Sequence, residues 1–161
     1  MDEPITKERL KKYPELKMEI ENHLERLARM KSNEIMPAMK EGDGSQHTPS
    51  ASDRMANAII KRMDYTERSA ERINGILREM EIIETAIESL PGPMEREVLR
   101  LRYIDGRFSR PRPWQEVSLR LYGDNDEKSM TATFRAHGRA LQSIEKVTSH
   151  DAETVCKTHD G

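Results

Sequence analysis

Residues 128–139 of this 161-residue chain read KSMTATFRAHGR. On a helix, Ser129, Met130, Thr131, Phe134 and Arg135 crowd the first two turns, where side chains three and four apart share a face. Their chemistry suits the hydrogen-bonding edges of stacked bases. A guanidinium such as Arg135 bonds guanine O6 and N7 together, Thr131 offers a hydroxyl and a methyl, and a ring such as Phe134 meets a thymine methyl. Lys128 and Arg139 flank the set, where cations contact phosphates and fix register. A second cluster, Arg107, Arg110 and Arg112, lies in the loop RFSRPRP. It reaches a neighbouring phosphate or minor groove, or it only keeps the loop solvated. Plainer roles stand beside these: Phe134 as a core ring, Arg139 in a surface ion pair, and His137 toward either a duplex or solvent.

Little else in the chain points to chemistry. No phosphate-binding loop, dinucleotide glycine pattern, HExxH or CxxC occurs. Cys156 and His159 have metal-ligand spacing, with His150 nearby, but a structural zinc site takes four ligands. The carboxylates alternate with Lys and Arg in helical stretches, where ordinary ion pairs are the outcome. The expectation is therefore a protein that is not an enzyme and that has no cofactor and no metal.

The elements that must position the candidate residues are short helices. Ser129 is a natural N-cap for a helix running from Met130 to about Val147, with Thr133, Ala136, Ala140, Leu141 and Ile144 inward. Trp114–Leu121 forms a helix before it, with Trp114, Val117 and Leu121 on one face. The polar turn between them holds Gly123 and Asn125, both able to take positive φ. Met94–Ile104 forms the first helix of the set, burying Val98, Leu99, Leu101 and Tyr103. Asp105-Gly106 stops it, with the glycine in a left-handed C′ position. Two short helices joined by a polar turn, with a mostly polar outer face on the last helix, follow the helix-turn-helix plan. A helix of that width fits the major groove of B-form DNA.

EREVLRLRYIDG, WQEVSLRL and S-x3-TFRAHGRAL-x2-I together resemble the region 4 fold of sigma factors. The pattern is most similar to the sigma-like regulators of bacteriophages and prophages of Gram-positive bacteria, the RinA and ArpU late-transcription regulators. The resemblance covers about residues 90–147. It implies a recognition helix starting at Ser129 and contact with host RNA polymerase. It also implies a cytoplasmic, bacterial setting. The chain departs from the family in its inserted RFSRPRP loop, its longer acidic LYGDNDEK turn, and its small inner residues Thr133 and Ala136.

Five of the seven aromatic residues lie between 103 and 134, and large rings carry much of a small core. The globular unit is therefore expected at 91–147, with the rest an appendage. Pro14 to about Asn33 forms a first helix of residues 1–35, with Pro14 in its first turn and Tyr13, Leu16, Ile20, His23, Leu27 and Met30 in one stripe. Residues 36–52 form a flexible loop. Residues 53–90 form a second helix about 55 Å long, capped by Ser52 or Asp53. Its stripe is Ile59, Met63, Thr66, Ala70 and Ile73, continuing through Ile76 or Leu77, Met80, Ile83, Ile87 and Leu90. Gly75 marks a bend and Leu90-Pro91-Gly92-Pro93 resets direction. A lone stripe would stay wet, so the long helix pairs with the first helix as a coiled-coil-like hairpin or with a second copy in a homodimer. His23 sits on that seam. Residues 148–161 read as a disordered tail.

Composition agrees with an all-α protein of this kind and excludes others. Charged and apolar residues each make up 35% of the chain, too few apolar groups for one core along its whole length. No apolar run long enough for a membrane span occurs, and MDEPITKERL lacks the apolar segment of a secretory signal. The single cysteine suits a reducing cytoplasm. Net charge is −2, but residues 91–147 hold eleven Lys/Arg against eight Asp/Glu, a local basic surplus for double-stranded DNA. The expectation is a sequence-specific phage transcriptional regulator, a late-gene activator. Two alternatives remain: a small terminase-like DNA-packaging protein, distinguished by a large ring assembly, and a coiled-coil interaction protein that does not bind DNA.

Overall fold

Helical periodicity is realised along almost the whole chain. The structure, a computed structural model, describes residues 3–35, 50–107 and 109–157, with side chains as far as Ser149. It is all-helical, and no strand occurs among the described residues. The helices are α1 (Lys7–Ile35), α2 (Ala51–Glu88), α3 (Pro93–Leu99), α4 (Trp114–Tyr122) and α5 (Glu127–Lys157), and a π-helical turn, Arg100–Ile104, follows α3. No helix among the described residues is long and apolar enough to cross a membrane. Phe108, residues 36–49 of the expected loop, His159 and the side chain of Cys156 lie outside what is described.

Helix starts differ from the sequence expectation, and capping explains each case. α1 begins at Lys7, with Thr6 Oγ1 accepting the Arg9 N–H at 3.4 Å, so Pro14 lies inside the helix. An interior proline costs about 3 kcal/mol. Burial of Leu10 and Tyr13 on the same turns, about 1.5–3 kcal/mol each, offsets it. α2 begins at Ala51 because Ser50, rather than Ser52 or Asp53, is the cap. Ser50 Oγ accepts the Asp53 N–H at 3.1 Å, and Asp53 Oδ2 accepts the Ser50 N–H at 3.3 Å, a reciprocal capping box. α2 then continues through Gly75. α5 begins at Glu127, so Ser129 is not its cap. Asp126 Oδ1 accepts the Ser129 N–H at 2.7 Å and takes that role, and this bond holds its carboxyl below the usual range. α5 also runs on to Lys157, where a disordered tail is expected.

The described chain divides into two compact units. The first joins the N-terminal residues through Met18 with Arg78 onward, so it is larger than the expected 91–147. Its core draws Ile5, Leu10 and Tyr13 from the N-terminal segment, and Ile83, Ile87 and Leu90 from the end of α2. These close over Val98, Leu99, Tyr103, Val117, Ala136, Ala140 and Ile144. The Ile5 N–H donates to Thr148 Oγ1 at 3.0 Å, tying the two ends of the chain together. The physical reason is supply. Three short helices with Thr133 and Ala136 facing inward cannot fill a core, so outside apolar groups complete it.

The π-helical turn is buried at Leu101, Tyr103 and Ile104, and its freed carbonyls need partners. Side chains provide them. Lys17 Nζ donates to Ile104 O and Gly106 O, each at 3.3 Å. Gly106 does not take positive φ; among the described residues only Gly123 does, at 72°, closing α4.

The second unit, Glu19–Leu77, is the paired remainder of α1 and α2. Glu19 pairs with Arg72, His23 Nδ1 with the Tyr65 hydroxyl, and Glu34 with Arg62, an antiparallel order. The α1 stripe Ile20, His23, Leu27 and Met30 is half-buried, as expected. The α2 stripe is as expected only in part: Ile59 and Ile73 are half-buried and Ile76, Ile83, Ile87 and Leu90 are buried. Met63, Thr66 and Ala70 are exposed, and Arg62, Tyr65 and Ser69 take the seam instead. These neighbours lie one residue earlier, so a rotation of about 100° separates the two sets.

Candidate nucleic-acid interface

α5 is held by its inner face. Thr133, Ala136, Ala140 and Ile144 are fully buried, and Leu141 packs at the margin. α4 lies against it through Val117, with Trp114 and Leu121 half-buried. Ser118 is buried as well, its hydroxyl donating to Asp124 O at 2.9 Å, which fastens the turn to α4. Asp124 Oδ1 accepts the N–H groups of Asn125 and Asp126 at 2.6 and 3.1 Å. The acidic residues of the 123–127 turn therefore satisfy the donors that open α5 and complement its positive end.

The candidate residues separate into two groups. Lys128, Thr131, Arg135 and Arg139 are exposed and, at spacings of three and four, share the stripe opposite the buried face. Lys128 and Arg135 have no ion-pair partner among the described residues. Arg139 Nε stands 3.9 Å from Glu95 Oε1, a loose contact that a phosphate can displace. The Thr131 hydroxyl donates to Glu127 O at 2.8 Å and keeps its acceptor capacity outward. Ser129 and Met130 are half-buried on the flanks, off this stripe. Phe134 is 47% exposed, with its ring 5.1 Å edge-on to Trp114, so it borders both core and solvent.

The arginine loop also splits. Arg107 and Arg110 are exposed. Arg112 is turned into the protein. Its Nε donates to Leu101 O at 3.0 Å and its guanidinium also reaches Asp105 O, while its backbone N–H donates to Arg102 O at 2.8 Å. It contacts Glu116 at 3.4 Å as well. Arg112 thus caps the carbonyls of the π-helical turn and is withdrawn from the phosphate-facing set. Its position between two prolines favours an extended backbone, but no signal in the sequence gives the inward turn of its side chain.

His137 faces neither DNA nor solvent. It is buried, with Nε2 3.0 Å from the Tyr103 hydroxyl and its ring 4.7 Å edge-on to Trp114. Burial, with the charges of Lys7 and Arg102, pushes its pKa down to about 4, so the ring is neutral at pH 7. The Arg102 guanidinium lies 4.2 Å above the Trp114 ring. A cation–ring–histidine stack therefore locks the start of α4 to the middle of α5. No group of side chains able to hold a metal ion occurs among the described residues. Comparison with protein families, with curated proteins and with solved structures returned no match to the chain.

Proposed function

We propose that α4, the 123–126 turn and α5 work as a helix-turn-helix that reads double-stranded DNA, and that the protein is a phage-type transcriptional regulator. The observation that carries this reading is the outward stripe of α5: Lys128, Thr131, Arg135 and Arg139 are exposed on a helix whose opposite face is fully buried. A helix anchored in this way presents cations and a hydroxyl at a fixed spacing, as major-groove reading requires. Arg135 bonds a base edge; Lys128, Arg139, Arg107 and Arg110 contact phosphates. The likeness of 90–147 to sigma region 4 supports a late-gene activator that works with the host RNA polymerase. A non-DNA interaction protein is the second reading, favoured by Asp124, Asp126 and Glu127 beside the first turn of α5.

A mobility-shift titration against the DNA flanking the protein's own gene tests the proposal. Binding should weaken steeply with salt, since each neutralised phosphate releases counterions. Arg135→Ala should lose about 1–3 kcal/mol of sequence discrimination, while Lys128→Ala should weaken all sequences alike and lower the salt slope by about one. No binding at low salt, or an Arg135→Ala variant that binds like the parent, removes α5 as the reader.

A further inference from the structure

Between Ser52 and Met80, α2 carries a wedge of its circumference that holds no charged residue: Met55, Ile59, Met63, Thr66, Ala70 and Leu77 follow one another at spacings of three, four and seven. On α1, Leu24, Ala28 and Ile35 form a corresponding row, in which Lys31 also falls. The antiparallel seam leaves most of either row uncovered. Leu24, Ile35, Met55, Met63 and Leu77 are between 46% and 74% exposed, and Ile59 is half-buried.

Both rows are displaced from the seam in the same rotational sense along their helices. In an antiparallel pair, equal displacements fall on the same side. The two rows therefore lie on one face of the hairpin, about 33 Å long on α2 from Met55 to Leu77 and about 17 Å long on α1 from Leu24 to Ile35.

We infer that this face is the contact surface for a second copy of the chain, and that two hairpins close as a four-helix bundle. Three observations select that occupant. A single added helix would cover one row and leave the other wet, whereas a second hairpin presents two helices. The face is free of charge along α2 although 35% of the chain is charged, so it is self-complementary about a two-fold axis. The five large side chains, each offering on the order of 100 Å², together with Ile59, Ala70 and Thr66, approach the roughly 800 Å² per partner of a standard stable interface. The seam within one hairpin mixes half-buried apolar residues with ion pairs, and the row of α2 outside it is apolar.

Sedimentation equilibrium of the full chain at up to about 100 µM, well above the Kd expected of such an interface, should give twice the 18.6 kDa of one chain. Met63→Glu places a charge at the centre of the face and should raise the dimer Kd by 100-fold or more, with helical circular dichroism retained. An Ala70→Cys variant carrying Cys156→Ser should form a disulfide-linked dimer on mild oxidation, and a Lys61→Cys variant on the far side of α2 should not. A wild-type mass of one chain overturns the inference. So does a large closed ring, a folded Met63→Glu variant that stays dimeric, or equal crosslinking from both cysteine positions. The mass and crosslinking readouts need no DNA, so they stand or fall apart from the proposed reading of α5.

Discussion

The two units use the same helices to opposite ends. Along α2, the inner positions Met80, Ile83, Ile87 and Leu90 enter the apolar core of the first unit. In the second unit the inner positions are mixed: Ile76 is buried and Ile59 and Ile73 are half-buried, while Arg62 and Tyr65 meet Glu34 and His23. One part of a single helix is closed by a continuous apolar core and the other by a thinner seam of apolar, ion-pair and hydrogen-bond contacts. Burial of a large aliphatic side chain stabilises by about 1.5–3 kcal/mol, and an exposed ion pair by about 0–1 kcal/mol. The larger share of the burial therefore resides in the first unit. The second unit has a half-buried seam and leaves Met55, Met63 and Leu77 exposed.

The largest expected effect tests that division. Ile87→Ala, in the core of the first unit, should cost about 2–5 kcal/mol in urea unfolding, because the cavity adds to the lost transfer energy. Tyr65→Phe, in the seam of the second unit, should cost about 0.5–1.5 kcal/mol, the net worth of one hydrogen bond. Equal costs would break the comparison.

The buried His137 gives the first unit an acid limit. Its folded pKa of about 4 lies below its ordinary value of 6.5, so the unfolded chain binds the proton more tightly between those values. The stability linked to this ring is fully present above about pH 6.5 and is lost as pH falls toward 4, about 2–3 kcal/mol in all. Urea midpoints at pH 7 and pH 4.5 should show the loss, and His137→Asn should remove that part of it. A parent protein equally stable at both pH values would contradict the buried, neutral placement.

Smaller in effect, but sharper, is a contrast between arginines. Arg112→Ala should cost about 1–3 kcal/mol, because the partly buried Leu101 carbonyl loses its donor. Arg62→Ala, across the seam, should cost less than about 1 kcal/mol. Arg110→Ala should leave stability within about 0.5 kcal/mol and change only DNA affinity. Thermal melts of the three variants order them.

Much of the helical layout was legible in the sequence. The spans of α4 and of most of α1, α2 and α5 follow from prolines, glycines and period. The inner face of α5, Thr133 through Ile144, follows from spacing alone, because a side chain's direction on a helix is fixed by its own backbone. Exposure of Lys128, Thr131, Arg135 and Arg139 is the complement of that face. Hydrogen bonds between chain neighbours also set the helix starts, yet Ser50, Thr6 and Asp126 each compete with an equally good cap a few residues away. Periodicity alone does not rank them.

Other features were settled only by tertiary packing. Which of two adjoining stripes of α2 meets α1 depends on the whole contact, and Met63, Thr66 and Ala70 were the natural choice until the polar pairs placed them outside. Recruitment of Ile5, Leu10 and Tyr13 into the core joins residues more than a hundred positions apart, and no local pattern encodes that. The inward turn of Arg112 and the burial of His137 depend on carbonyls and rings brought to them from other helices. The sequence determined where the helices form and which way their side chains point. Tertiary structure decided which of those faces found a partner, because burial is a property of two surfaces and each stretch of sequence specifies only one.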